Sequence, residues 1–375
     1  MLLHRNLFRI ISAVLINLCF MLLFSSCKGS PTDSSNVNSD KMIVYTNHRN
    51  VLNIVDLYNF SITETIDINV PGQPEIVTEN ICLSTDKEHL IFNGFTFDSQ
   101  FKHYLLCYDL REKKYESIFP TGFDGGITAP EIISADRENE PGLIYFYSAN
   151  IGAKSYDFIE RKFKDTYQGV ATGPVNKFLY SSPENKYSII RKSVEGDHGG
   201  YGMLEFYNSQ LGLKTPAFIL NDNDKDNLYF VDLEVSPDGK RTYCTVFDSG
   251  AVSNKIKFYY VGHYDMQTKE FHKYPFNLTW CINPYYLAYN PVRNELYTIT
   301  GYNRFCVIDP DKQELIYVIE IEGKKQGPSR IALRKDGKVA FVSCADSDFI
   351  AVIDLEKREV ISKINIQHPY HLLIP

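Results

Sequence analysis

The 375-residue chain lacks the short motifs that usually announce an enzyme. It has no GxSxG elbow, no phosphate-cradling P-loop and no GxGxxG turn, so hydrolase, NTPase and dinucleotide readings have no local support. It has no HExxH helix motif, its nine histidines are scattered, and no two cysteines stand as CxxC, so no metal site is expected from spacing. Basic charge is also short. The formal net charge is −7, and an acidic chain with no basic stripe repels phosphate backbones, so nucleic acid is not an expected partner. No stretch after residue 41 shows sustained helical periodicity, which argues against helical layers. Only one Trp is present, whereas 26 Tyr and 24 Phe, with 44% hydrophobic residues overall, make a chain that favours β-structure.

The first residues read as a processing segment. His4, Arg5 and Arg9 form a basic start, Leu7 to Phe24 is an apolar run without an acid, and Ser25, Ser26 and Cys27 follow. This segment resembles the signal peptide of bacterial lipoproteins, which implies cleavage after residue 26 and lipidation of Cys27; it departs from that pattern at Phe24, where Leu is usual. A plain cleaved signal or an uncleaved anchor are the alternatives. Losing residues 1–26 removes Arg5 and Arg9 and makes the chain two charges more acidic. Residues 27–41 are rich in Ser, Asn, Asp and Pro and read as a flexible tether, leaving 42–375 as one domain. Lys28 after the cysteine is not the Asp that marks inner-membrane retention, so the resemblance implies a cell-envelope protein anchored to the outer membrane by lipid. Of the other cysteines, Cys82, Cys107, Cys244, Cys281, Cys306 and Cys344 lie far apart, mostly in apolar runs, and read as buried small hydrophobes.

One pattern recurs along the domain, an apolar strand ending in an acid or its amide: Asp56, Asp109, Asp157, Asn208, Asp265, Asp309 and Asp354, spaced 44 to 57 residues apart. Each unit has room for four short strands separated by turns, which is the spacing of β-propeller blades. The first unit, 42–68, has only three strands, while His368 to Ile374 looks like a spare innermost strand. The expected fold is therefore all-β, a seven-bladed β-propeller closed by the C-terminal strand joining the N-terminal blade, with six or eight blades as alternatives because the third and fourth units are irregular. Closure would remove exposed sheet edges.

The segment Gly327 to Ile366, with its GxP start, DGK turn, VIDL strand and final apolar strand, resembles a YVTN-type propeller repeat. Residues 43–68 and the turn in Val235 to Phe247 are similar. The resemblance implies the fold; YVTN-type members include extracytoplasmic binding proteins and surface proteins, and related propellers include lactonases and lyases, so it does not choose an activity.

Propeller ligands generally sit at the channel mouth, where the innermost strands begin. Aligning the units on their turns places Asn80, Glu131, Lys177, Asp232, Tyr286, Arg330 and His371 at equivalent positions there, a polar ring of mixed charge able to hold a small polar molecule, a glycan or a peptide. Three segments read as loops on the same face: Thr46 to Asn50 with His48 and Arg49, Phe123 to Gly126, and Arg191 to Tyr201 with His198. They add glycine and a histidine that can act as a base. Asp222, Asp224 and Asp226 alternate like the opening of a calcium loop, but Asn227 and Leu233 replace the glycine and the closing glutamate of that motif, so calcium is only a secondary expectation. The expected function is a membrane-anchored binding or interaction protein. A lactonase- or lyase-type enzyme using a pair such as Glu131 and His371, or a structural subunit of an envelope assembly, are the alternatives.

Overall fold

The computed structural model describes residues 40–46, 50–72, 76–84, 87–96, 103–120, 131–133, 143–148, 152–157, 162–164, 175–180, 188–196, 199–208, 213–219, 228–248, 258–276, 286–300, 303–323 and 328–375. They form seven four-stranded antiparallel sheets. The first sheet takes β1 (Lys41–Thr46), β2 (Val51–Asp56) and β3 (Ser61–Asp67). The second is β4 (Ile76–Leu83), β5 (His89–Thr96), β6 (His103–Asp109) and β7 (Lys114–Pro120), and the third β8 (Glu131–Ile133), β9 (Leu143–Ser148), β10 (Gly152–Asp157) and β11 (Lys162–Lys164). The fourth contains β12 (Val175–Tyr180), β13 (Ser188–Gly196), β14 (Gly199–Asn208) and β15 (Leu213–Ile219). In the fifth are β16 (Leu228–Val235), β17 (Arg241–Asp248), β18 (Phe258–Asp265) and β19 (Phe271–Lys273). The sixth is β20 (Tyr286–Asn290), β21 (Glu295–Thr300), β22 (Arg304–Asp309) and β23 (Glu314–Glu320). The seventh is β24 (Pro328–Leu333), β25 (Val339–Cys344), β26 (Phe349–Asp354) and β27 (Glu359–Asn365), and β28 (Pro369–Leu373) ends the series.

The last strand does not extend the seventh sheet. It pairs with β1, setting Leu373 against Ile43, Leu372 against Val44 and His371 against Tyr45, so the C-terminal segment supplies the innermost strand of the first sheet. The strands β28, β4, β8, β12, β16, β20 and β24 touch one another in that order, and β24 returns to β28. The cycle is closed.

Burial follows from this stacking. Second strands such as β21 and β25 are buried along their whole length because each lies under a neighbouring sheet on both faces, whereas outermost strands such as β27 alternate between exposed and covered residues. Adjacent sheets share cores: Met42, Val44 and Val55 pack with Phe341 and Val352, Tyr297 and Phe305 with Ala340 and Ile353, and Tyr243 and Val261 with Leu296 and Cys306. Cys82, Cys107, Cys244, Cys306 and Cys344 are buried thiols in no disulfide, as expected of small apolar fillers, and burial pushes the Cys344 thiol up to about 12. Cys281 lies outside the described residues, as do Cys27 and its flanks.

The recurring acid is a turn device. In five sheets its Oδ1 accepts the N–H groups two and three residues on, as Asp56 does from Tyr58 and Asn59 and Asp354 from Glu356 and Lys357. These bonds to the charged form hold the Asp56, Asp265 and Asp309 carboxyls below the usual range. The next turn residues reach the left-handed region, at φ 52° for Phe60 and 63° for Arg358, and redirect the chain into the outermost strand. Gly337, at φ 69°, serves the turn between β24 and β25. A Cβ there would lie 2.6 Å from the Val292 side chain of the sixth sheet, so glycine is required by packing as well as by conformation.

One expected loop is not a loop. Arg191 to Tyr201 belongs mostly to β13 and β14, whose ladder runs through Val194 against Tyr201 to Gly196 against Gly199, because a two-residue connection lets the pairing continue to its tip. Only Asp197 and His198 remain between the strands, outside the described residues. Among the described residues no helix is long and apolar enough to cross a membrane.

Candidate functional site

All seven residues of the expected ring lie on the seven innermost strands. Their register is the same. His371, Glu131, Asp232, Tyr286 and Arg330 pair with Tyr45, Tyr147, Thr245, Ile299 and Ser343, each the fifth residue of its sheet's second strand. Lys177 pairs with Arg191, the fourth residue of β13, which starts one position later. Asn80 sits with Glu79 in a bulge opposite Asn93, again the fifth residue of its strand. Because the innermost strands touch in a cycle, equal register puts these seven positions at one level of the ring.

Bulges recur at this level. The register also shifts just before Lys177, Asp232 and Arg330 and at Tyr370 beside His371. An extra residue at the rim of a strand re-aims the side chains around it, and here it does so at the inner end of sheet after sheet.

Four ring side chains are described. Arg330 lies over an aromatic, its guanidinium carbon 3.9 Å from the centre of the Tyr286 ring and 5.7 Å from that of Tyr370. Tyr370 meets His371 edge to face at 4.8 Å, and His371 lies 6.1 Å from Tyr45. The arc Tyr286, Arg330, Tyr370, His371 therefore joins three adjacent innermost strands by cation–π and ring contacts, each contributing roughly 0.5–2 kcal/mol. Ser343 helps fix it by donating to the Tyr370 carbonyl at 3.3 Å.

Asp232 has a different duty. It is buried, and its Oδ2 accepts the backbone N–H of Leu287 in the next innermost strand at 2.7 Å. Its own N–H donates to Thr245 Oγ1 at 3.0 Å. It ties the fifth sheet to the sixth. Asn50 makes a comparable tie from the first sheet to the second through the Ile76 carbonyl.

The side chains of Asn80, Glu131 and Lys177 lie outside the described residues, although their strands are placed. Glu131 and His371 come from strands β8 and β28, which have β4 between them in the cycle. His48, Arg49, residues 123–126, His198 and the acids Asp222, Asp224 and Asp226 fall outside the described residues. Tyr370 was not anticipated. The signal for it was its place one residue before the ring position, where other units carry a bulge.

Neither a protein-family profile nor a curated relative matches the chain. Solved structures do. A chain of the Kuenenia stuttgartiensis hydrazine synthase superposes with a TM-score of 0.64 at 15% identity, covering 84% of this chain and 92% of its own. The fold is a β-propeller. A functionally unknown protein from Desulfotomaculum acetoxidans is also similar, with a TM-score of 0.57 at 14% identity over 89% of this propeller and 98% of that chain. At such identities the likeness carries the architecture of the propeller and nothing of its chemistry.

Proposed function

We propose that this protein is a seven-bladed, lipid-anchored propeller of the cell envelope, related to the YVTN type, that binds a small polar ligand or glycan bearing an anionic group at its channel mouth. The carrying observation is the arc in which Arg330 is seated over Tyr286 and backed by Tyr370 and His371. A guanidinium seated over an aromatic face carries a planar fork of N–H donors, and that fork suits carboxylate and phosphate oxygens. The tyrosine rings offer flat apolar surface beside it. Binding rather than turnover is favoured because Asp232, the described carboxylate of the ring, already holds the Leu287 amide.

The address rests on the N-terminal segment: basic start, apolar run and Cys27, with Lys28 pointing to the outer membrane. Membrane attachment through lipid is then the protein's standing partnership, and calcium and nucleic acid have no part in the reading. The test is the melting temperature of the full-length protein in detergent against uronic acids, dicarboxylates, sugar phosphates and the matching neutral sugars. A rise with an anionic probe that its neutral counterpart does not produce supports the reading. No shift from any probe contradicts it.

A further inference from the structure

The second blade differs from its sisters at one corner, at the opposite end of the strands from the ring. His89 opens β5 and pairs with Asp109, which closes β6, while Glu116 is the extra residue of the bulge in β7. Nε2 of His89 lies 3.6 Å from Oε2 of Glu116 and 4.0 Å from Oδ2 of Asp109, and the three ligand atoms all fall within 4.8 Å of one another.

The repeat supplies its own controls. The same three positions hold Lys41, Asp56 and Thr63 in the first blade and Val339, Asp354 and Ile361 in the seventh. Aspartate is constant because it caps the turn, but neither the histidine nor the glutamate is needed to build a blade. In the second blade the cap uses only one oxygen, Oδ1 of Asp109, which accepts the N–H groups of Arg111 and Glu112 at 2.7 Å each. The other oxygen faces the histidine.

The spacing is wider than that of a hydrogen-bonded cluster. Gaps of 3.6 and 4.0 Å exceed the ~3.2 Å limit of an ordinary N–H···O bond. Two atoms that share one tetrahedral ion at about 2.0–2.2 Å each stand roughly 3.3–3.6 Å apart, so the His89–Glu116 gap fits an ion as it stands and the His89–Asp109 gap closes by a few tenths of an ångström on binding. Preorganisation is also present: Ser84 Oγ accepts the His89 N–H at 2.9 Å and donates to the His89 carbonyl at 3.0 Å, fixing the backbone that carries the imidazole. Asp109 is buried, His89 partly covered and Glu116 near the surface, which leaves an approach from solvent.

We propose that His89, Asp109 and Glu116 bind a first-row divalent cation of the zinc class, across three strands of the second blade. One imidazole with two carboxylates suits such a borderline ion, whereas calcium and magnesium prefer an all-oxygen shell. Three protein ligands leave coordination open to water or to a donor from a partner.

The test uses chelator-stripped full-length protein, titrated with zinc sulfate under equilibrium dialysis and read by metal analysis. The wild type is compared with H89N and E116Q. Glu116 occupies a position that accepts Thr and Ile in sister blades, so E116Q keeps the fold, and its melting temperature in chelator serves as the check. The expected result is one zinc per chain, not displaced by excess magnesium or calcium, with affinity falling at least about tenfold in each variant. Either no saturable zinc in the wild type or equal affinity in all three proteins overturns the proposal and leaves the trio an ion pair.

Discussion

Asp232 and Leu287 are 55 residues apart in sequence, yet the carboxylate of one accepts the amide N–H of the other at 2.7 Å across the gap between two blades. A residue that looks like a ligand contact in the sequence is thus also a strut. Asp232→Ala leaves a buried N–H without its acceptor and is expected to cost about 1–3 kcal/mol in urea unfolding, with Asp232→Asn retaining an acceptor and losing less. Equal stability of Asp232→Ala and wild type would contradict the strut.

Closure makes a second prediction. Leu372 projects from β28 into the core shared by the first and seventh blades, with Met42, Val44, Phe341 and Val352. Leu372→Ala is expected to lower stability by about 2–4 kcal/mol. Removing residues 369–375 bares the edge of β1 and should convert a monodisperse protein into one that self-associates on size-exclusion chromatography.

The fifth blade buries an imidazole. His263 is stacked 4.9 Å from His272, its Nδ1 has no hydrogen-bond partner, and burial followed by the neighbouring His272 charge pushes its pKa down from 6.5 to about 4. A histidine whose pKa is lowered on folding binds more protons when unfolded, so its contribution is intact above pH 6.5 and is lost as pH falls from there towards 4. The melting temperature of wild type should fall across that window more steeply than that of His263→Phe. Parallel profiles would show that His263 does not report on folding.

The N-terminal reading is tested directly by labelling. Cells expressing the chain with a radiolabelled fatty acid should yield labelled protein in the outer-membrane fraction, and Cys27→Ser should abolish the label. Persisting label in the variant would place the attachment elsewhere.

Much of this architecture was legible because turns impose a phase. The acids at Asp56, Asp109, Asp265, Asp309 and Asp354 cap the same turn in five blades, so counting from the turns locates the inner strands. The loop expected around His198 failed for a local reason: glycines at 199 and 200 suggested a turn where they pair within a long hairpin. Tyr370 and the His89 corner were not legible. Their contacts depend on bulges, which shift which residue faces which neighbour without leaving a mark in composition, and Glu116 reaches His89 only through one of them.

The central claim is that the mouth binds an anionic polar ligand through Arg330. Its most direct test is isothermal titration of wild type and Arg330→Ala with the anionic probe that gives the largest melting shift, Asp232→Asn serving as a variant of the same ring. The account predicts saturable one-to-one binding by wild type and by Asp232→Asn, weakened at least about tenfold in Arg330→Ala. Undiminished binding by Arg330→Ala would contradict it.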